Sequence, residues 1–177
     1  IMSSDEGLNH KYKIKYYERE NVNSLNKIKH PVIKKALKYF KNIKNLHLSH
    51  HGDLPAQTGI GSSSAFTVGL INSLNYLSRK KLTKKELAFK SINFERKILK
   101  EFVGYQDAMA SSFGGFNKIE FKKKTKIQNL NKYHIFKNEL EKWCQLFYLG
   151  SQRNSQNLEK KKFRNFKKKE KILKKIF

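Results

Sequence analysis

Residues 55–65 read Pro-Ala-Gln-Thr-Gly-Ile-Gly-Ser-Ser-Ser-Ala, and residues 66–71 continue with the apolar stretch Phe-Thr-Val-Gly-Leu-Ile. This order predicts a glycine-rich loop that opens a helix. Glycine lets the backbone approach an anion closely, and the first N–H groups of a helix have no partners inside the helix. The peptide dipoles add about half a positive charge at the same end. The loop is therefore a candidate phosphate site, although a simple turn followed by a serine N-cap gives the same pattern.

Two common phosphate-binding motifs are excluded by the residues present. The Walker motif requires Gly-Lys-Ser/Thr, and no lysine lies between Asp53 and Ser78. The dinucleotide-binding fingerprint Gly-x-Gly-x-x-Gly also fails, because Ser64 stands where the third glycine would follow Gly59 and Gly61. A nucleotide held here would require a different kind of loop.

Apolar spacing along the chain predicts both helices and short strands. Pro31 is typical of the first residue of a helix, and Thr83-x-x-Glu86 has the form of a capping box at the start of another. The spacing predicts further elements: helices over about 63–77 and 106–112, and strands around 46–48, 116–121 and 143–149. The last strand is apolar enough to be buried.

The composition predicts a folded chain that is long enough for one domain with a hydrophobic core. It has 177 residues, of which 38% are hydrophobic and 12% aromatic, so a disordered chain is not expected. No apolar run approaches the ~20 residues of a membrane span, and we expect neither a signal peptide nor a membrane partner. Cys144 is the only cysteine, so we expect no internal disulfide, a cytoplasmic location, and a buried, inert thiol.

The charge suggests an alternative class of function. Subtracting 14 acidic from 39 basic side chains gives a net charge of +25, which fits a binding module for nucleic acid or acidic partners. The lysines are spread along the whole chain, however, and they far outnumber the arginines, which bind phosphate in a better-defined geometry. We therefore expect a general compositional bias without a nucleic-acid partner. A cationic surface would still attract ATP or sugar phosphates.

The complete string Pro-x-x-x-Gly-Ile-Gly-Ser-Ser-Ser closely resembles the phosphate-binding motif of the GHMP kinases, which act on galactose, homoserine, mevalonate and related small molecules. Residues 53–74 are most similar to the members that act on D-glycero-D-manno-heptose 7-phosphate. Two other segments fit the same subgroup: residues 29–37, Lys-His-Pro-Val-Ile-Lys-Lys-Ala-Leu, and residues 103–117, which begin Val-Gly-Tyr-Gln-Asp.

The resemblance implies an α+β fold, in which a mixed sheet packs on helices and a left-handed β-α-β unit surrounds the loop. Residues 1–142 would form the ATP-binding domain without its N-terminal motif, and residues 143–177 would begin a truncated C-terminal domain. The family's third, glycine-rich motif is also missing, so we interpret the chain as an internal piece of an enzyme. Residues 158–177 predict a basic amphipathic helix, for a membrane surface or for the missing remainder of the protein.

The resemblance also assigns roles to single residues. Ser63 and Glu95 match the family's metal-ligating serine and glutamate, and such oxygen ligands suit Mg²⁺. Asp107 matches the catalytic aspartate, which accepts or orients the proton of the acceptor hydroxyl. Arg153 is a candidate for contact with the sugar phosphate, with a plain surface position as its alternative. The loop residues that would bind ATP are Pro55, Ala56, Gln57, Thr58, Gly59, Ile60, Gly61, Ser62, Ser63 and Ser64.

Simpler interpretations of the two acidic residues remain open. Glu95 could be an exposed side chain paired with Arg96 or Lys100, and Asp107 could cap the short helix that follows it. The function predicted from the resemblance is ATP-dependent phosphoryl transfer, with Mg²⁺, to the anomeric hydroxyl of D-glycero-D-manno-heptose 7-phosphate. The alternatives are another sugar 1-kinase of the fucose or galactose type, and a non-catalytic basic binding module.

Overall fold

The computed structural model describes residues 2–3, 10–43, 45–52, 59–122, 125–145, 147 and 165. Several expectations lie outside these residues: those for Pro55, Ala56, Gln57, Thr58 and Arg153, and nearly all of the basic segment 158–177. The domain boundary after residue 142 stays a prediction.

A mixed sheet forms one layer of the described structure. Its strands are β1 (Met2–Ser3), β2 (Tyr12–Lys15), β3 (Arg19–Val22) and β4 (Leu46–Ser49), in the order β1-β4-β2-β3. Strands β2 and β4 pair in parallel, and the other two pairings are antiparallel. The left-handed β-α-β unit expected around the glycine-rich loop stays a prediction.

Alternation along the strands gives the sheet one apolar face and one polar face. Tyr12 and Ile14 of β2 are buried opposite Leu46 and Leu48 of β4, because side chains at every second position point to the same side. Lys13 and the other intervening residues point away from the helices. The apolar face therefore fixes which side of the sheet the helices cover.

Helices form the second layer, and their starts follow the signals in the sequence. They are α1 (Pro31–Tyr39), α2 (Ser62–Leu77), α3 (Lys84–Asn93), a π-helical segment (Phe94–Leu99) and α4 (Gln106–Phe113). Pro31 begins α1 and Thr83 forms the predicted capping box with Glu86. Val68, Ile71 and Leu74 form the buried side of α2 within a single hydrophobic core. No helix in the described part of the chain is long and apolar enough to cross a membrane.

A second hairpin follows α4. Strands β5 (Asn117–Glu120) and β6 (Lys126–Asn129) are antiparallel, and they confirm the strand predicted around 116–121. Gly115 has a φ of 74°, and a Cβ there would lie 2.8 Å from the Asn131 side chain. The side-chain Oδ1 atom of Asn131 also accepts a hydrogen bond of 2.8 Å from the Phe116 N–H. Gly115 and the preceding Gly114, which has a φ of 58°, therefore form a turn that Asn131 holds in place.

The last described helix corrects two expectations. Helix α5 spans His134–Trp143, so the buried strand expected at 143–149 begins inside a helix. The Cys144 N–H still donates to the Leu140 carbonyl oxygen, and the helical pattern of hydrogen bonds thus extends beyond Trp143. Trp143 is 84% exposed, and Cys144 is exposed as well. Apolarity predicted burial here, but burial also requires a covering layer, and the described residues provide none at this point.

Candidate active site

The end of the glycine-rich loop and the start of α2 form the core of the site. Gly61 is the N-cap of α2, with a φ of 78°, and Gly59 has a φ of 80°. Both values lie in the left-handed region that glycine adopts without steric cost. The N–H groups of the first turn of α2 therefore point toward the loop, as expected for an anion-binding site.

Asp107 lies directly against this loop. A Cβ added to Gly61 would lie 3.2 Å from the Asp107 Cγ atom and 3.5 Å from its Oδ1 atom. Asp107 belongs to the first turn of α4 and is exposed, whereas Tyr105 occupies the N-cap position. The capping role considered for Asp107 is therefore not the one it has. The fold places an accessible carboxylate beside the loop.

Glu95 lies on the π-helical segment and is only 1% exposed. Neither carboxylate oxygen has a hydrogen-bond partner among the described residues. The pKa of Glu95 is raised to about 7, chiefly because burial penalises the charged form, with a smaller rise from the charges of Glu101 and Asp107 and an opposing effect of the nearby hydroxyls of Ser64 and Thr67. Those hydroxyls approach the carboxylate without completing a well-formed hydrogen bond.

The burial of Glu95 excludes the simpler interpretation of an exposed pair with Arg96 or Lys100. Both basic residues are exposed, and Arg96 instead contacts Tyr105. A segment with the wider turn of a π-helix is often found at functional sites. Here the segment brings Glu95 inward, beneath the first turns of α2.

The serine beside Glu95 is Ser64. Ser64 and Thr67 are three residues apart on α2, so both occupy its buried side, whereas Ser63 is exposed. Sequence reasoning chose Ser63 from the resemblance. The sequence does carry a signal for Ser64: positions 64 and 67 share a helix face with the apolar residues Val68 and Ile71, yet both are polar.

The donor set near Glu95 fits a magnesium ion. A buried carboxylate with two unpartnered oxygens is costly unless a ligand completes it. Mg²⁺ is typically held by one or two carboxylates together with phosphate oxygens and water. Among the described residues no group of three or more His, Cys, Asp and Glu could hold a metal. The protein would thus supply part of the coordination, and a bound nucleotide would supply more.

Residues 26–115, about half of the chain, match the family described as GHMP kinases N terminal domain. The chain belongs to the GHMP kinase family. The matched range includes the described part of the loop, Glu95 and Asp107. The family resemblance inferred from the loop is thereby confirmed.

Individual GHMP relatives agree with this assignment. The chain is 30% identical over 126 residues to D-glycero-alpha-D-manno-heptose 7-phosphate kinase of Campylobacter jejuni. The aligned region covers 70% of this chain and 37% of that relative. A D-glycero-D-manno-heptose 1-phosphate kinase structure from B. thetaiotaomicron has a TM-score of 0.61 at 22% identity, over 72% of this chain and 45% of that one. A mevalonate kinase structure has a TM-score of 0.52 at 19% identity, over 73% and 45%.

These structural relatives confirm the α+β GHMP kinase fold. At such low sequence identities, their similarity concerns the fold alone. The chain spans 37% of the length of the Campylobacter relative and 45% of the length of each solved structure.

A polar network between the β2–β3 hairpin and the start of α1 was not predicted from the sequence. Buried Glu20 accepts hydrogen bonds from the N–H of Lys29 at 2.6 Å, the N–H of His30 at 3.0 Å and the hydroxyl of Tyr16 at 3.0 Å. The His30 Nδ1 atom caps α1 by accepting from the Ile33 N–H at 3.4 Å. The network therefore joins the β2–β3 hairpin to the start of α1.

Aromatic contacts continue this network to α2. The Phe66 ring lies 5.3 Å from the His30 ring and 4.8 Å from the His50 ring, measured between centroids. Phe66 belongs to the second turn of α2, just after the loop. The start of α1 and the end of β4 thus pack against the helix that presents the loop.

A cavity of about 220 Å³ lies on the other side of the molecule. It is lined mainly by polar residues of the outer sheet face: Lys13, Lys15, Arg19, Asn21 and His47. Since α2 covers the opposite face of the sheet, this cavity is separate from the GHMP loop.

Proposed function

We propose that the protein transfers the γ-phosphoryl group of ATP to a sugar phosphate, with the anomeric hydroxyl of D-glycero-D-manno-heptose 7-phosphate as acceptor. Membership of the GHMP kinases and the similarity to a relative named as a heptose 7-phosphate kinase support this proposal. The observation that carries it is the meeting of three features: the glycine loop, the buried carboxylate of Glu95 and the accessible carboxylate of Asp107, which lies against Gly61.

The loop would hold the phosphates of ATP. Backbone N–H groups at the start of α2, together with the helix dipole, would neutralise part of the triphosphate charge. Gly59 and Gly61 leave room for the phosphates because neither carries a side chain. The residues from Pro55 to Thr58 remain part of this proposed grip.

Glu95 and Ser64 would hold Mg²⁺, with Ser63 as the further candidate taken from the resemblance. When bound, Mg²⁺ offsets the charge that builds up on the phosphate oxygens during transfer. The protein's contribution is a carboxylate already buried beside the loop. This carboxylate must be ionised to act as a ligand, and a pKa near 7 means that a modest electrostatic gain suffices for deprotonation.

Asp107 would act on the acceptor. Its carboxylate would take the proton from the anomeric hydroxyl while that oxygen forms a bond to the γ-phosphorus atom. The bond between the γ-phosphorus and the β–γ bridging oxygen breaks, and ADP leaves with that oxygen. A well-placed general base contributes about 10²–10⁴-fold to such a rate.

The test is Asp107→Asn in the full polypeptide that the gene encodes. We expect turnover to fall by at least ~100-fold, while the affinity for Mg-ATP is unchanged because the loop is intact. Glu139→Gln, which removes an exposed carboxylate of α5 paired with Lys142, is the matched control. Turnover would be measured as ADP release with heptose 7-phosphate, fucose and galactose as separate acceptors.

The outcomes separate the competing functions. Turnover with fucose or galactose alone would replace the proposed acceptor, and full activity of Asp107→Asn would remove the proposed base. Activity with none of the acceptors would favour the basic binding module suggested by the net charge of +25. That module predicts nucleic-acid affinity that falls steeply as salt is raised.

A further inference from the structure

Arg96 connects the two segments that carry the acidic residues of the site. It follows Glu95 on the π-helical segment and contacts Tyr105, which lies two residues before Asp107. The Arg96 Nη1 atom donates a hydrogen bond of 3.1 Å to the Tyr105 hydroxyl. The guanidinium carbon also lies 5.4 Å from the centroid of the Tyr105 ring, within the range of a cation–π interaction. One side chain thus contacts both the hydroxyl and the ring of Tyr105.

The chain between these two segments is irregular, and the Glu101 N–H donates a hydrogen bond of 3.0 Å to the Glu95 carbonyl oxygen. Residues 100–104 form neither helix nor strand, and Lys100 ends the π-helical segment with a φ of 61°. Tyr105 is the N-cap of α4 but makes no side-chain capping hydrogen bond. Helix α4 is anchored by Ala108 and Met109, which are buried, whereas Gln106 and Asp107 at its start are exposed. The contact between Arg96 and Tyr105 therefore joins the exposed start of α4, which carries Asp107, to the segment that carries Glu95.

We propose that Arg96 is a positioning residue, which fixes Asp107 against the loop by holding Tyr105. This inference rests on the proposed kinase function. The physical reason is the steep dependence of group transfer on geometry, since a misplacement of about 1 Å can cost roughly 100-fold in rate. Arg96 forms no salt bridge within the described residues, so its charge remains available to the Tyr105 ring.

The experiment compares four single variants and one double variant of the full polypeptide. Arg96→Ala removes both contacts, Arg96→Lys keeps a cation over the ring, and Tyr105→Phe keeps the ring but removes the hydroxyl. Lys97→Ala is the matched control, because Lys97 is an exposed cation on the same segment, next to Arg96. We expect kcat to fall about tenfold in Arg96→Ala, with the KM values for Mg-ATP and acceptor unchanged within about twofold.

The other variants test whether the effect passes through Tyr105. Arg96→Lys should recover part of the lost kcat, and Lys97→Ala should behave as wild type. The double variant Arg96→Ala/Tyr105→Phe should be no slower than Arg96→Ala alone, because two residues in one contact are not additive. Amide hydrogen exchange at residues 104–107 should speed up in Arg96→Ala, with no change in α2.

Three outcomes would overturn the inference. A raised KM for the acceptor with unchanged kcat would make Arg96 a substrate contact. Additive losses in the double variant would show that Arg96 acts independently of Tyr105. Unchanged exchange at residues 104–107 would show that Arg96 does not order this segment. The proposed function is tested separately by the wild type and Lys97→Ala, since the absence of turnover in both would remove the kinase assignment itself.

Discussion

Two buried glutamates lie in regions of this molecule with opposite roles. Glu20, on the sheet side, is 5% exposed and accepts three hydrogen bonds. Glu95, on the helical side next to the loop, is 1% exposed, and its oxygens have no hydrogen-bond partner among the described residues. The groups around Glu20 supply hydrogen bonds to its carboxylate, whereas the groups around Glu95 leave its carboxylate available for a ligand.

The pKa values of the two glutamates show the same contrast: that of Glu20 is lowered and that of Glu95 is raised. Burial acts to raise the pKa of Glu20, but the N–H groups of Lys29 and His30 and the Tyr16 hydroxyl outweigh it, so that the pKa lies below its ordinary value. Burial raises the pKa of Glu95 to about 7. A buried acid that the fold needs for stability is hydrogen-bonded, whereas a buried acid without partners points to function.

The sharpest way to break this comparison is Glu95→Gln, which keeps the shape and removes the charge. We expect kcat/KM in the full polypeptide to fall by at least ~100-fold, because the carboxylate that would hold Mg²⁺ is lost. The free energy of unfolding of the variant at neutral pH should be equal to or above that of wild type, since a buried unpaired charge disappears. Steady-state kinetics over a Mg²⁺ titration, together with urea unfolding, check both halves. Normal activity, or a clear loss of stability, would contradict the assignment.

The pH dependence of stability gives a second test, in metal-free protein. Glu95 has a folded pKa of about 7 against an ordinary value of 4.5, so between these values the folded state binds more protons than the unfolded state. The free energy of unfolding should therefore fall as pH rises from 4.5 to 7, by up to about 3 kcal/mol from this group. Urea unfolding across this range measures the slope. In Glu95→Gln the decline should be smaller by the same amount, and an unchanged slope would exclude the raised pKa.

How much of this site could be predicted from the sequence depends on whether the residues involved are close together along the chain. The loop, Glu95 and Asp107 could be chosen as candidates because local motifs carry the family resemblance. The contact between Asp107 and Gly61 itself was not predicted, since it depends on how α4 packs beside α2. Ser63 stays a predicted ligand, and the burial of Ser64 beside Glu95 could not be predicted, because which of two adjacent serines faces inward depends on the rotation of α2 about its axis.

In the fold, too, short-range features were predicted and contacts between distant elements were not. Pro31, the Thr83 capping box and the apolar spacing of α2 are short-range signals, and all three predictions are confirmed. The Glu20 network was missed because its donors lie up to ten residues away along the chain and belong to different elements. The expectation that Cys144 is buried was wrong for a related reason: burial is a property of the covering layer and not of the apolar run itself.

Glu20→Gln provides the converse experiment, with a smaller expected effect. The amide places an N–H₂ group where a carboxylate oxygen now accepts from a backbone N–H, so one buried donor loses its partner. We expect the free energy of unfolding to fall by about 2 kcal/mol, while kcat/KM per folded molecule is unchanged because the network lies behind the loop. Urea unfolding and kinetics on the same preparation measure the two quantities.

A graded control makes this last comparison quantitative. Tyr16→Phe removes only the hydroxyl that donates 3.0 Å to Glu20 and should cost about 1 kcal/mol, roughly half of the Glu20→Gln effect. Since the folded pKa of Glu20 is depressed, its contribution is present at neutral pH and is lost as pH falls through that folded pKa. The difference between wild type and Glu20→Gln should therefore shrink in acid. A loss of turnover in Glu20→Gln without loss of stability would instead assign Glu20 to the site and remove the contrast with Glu95.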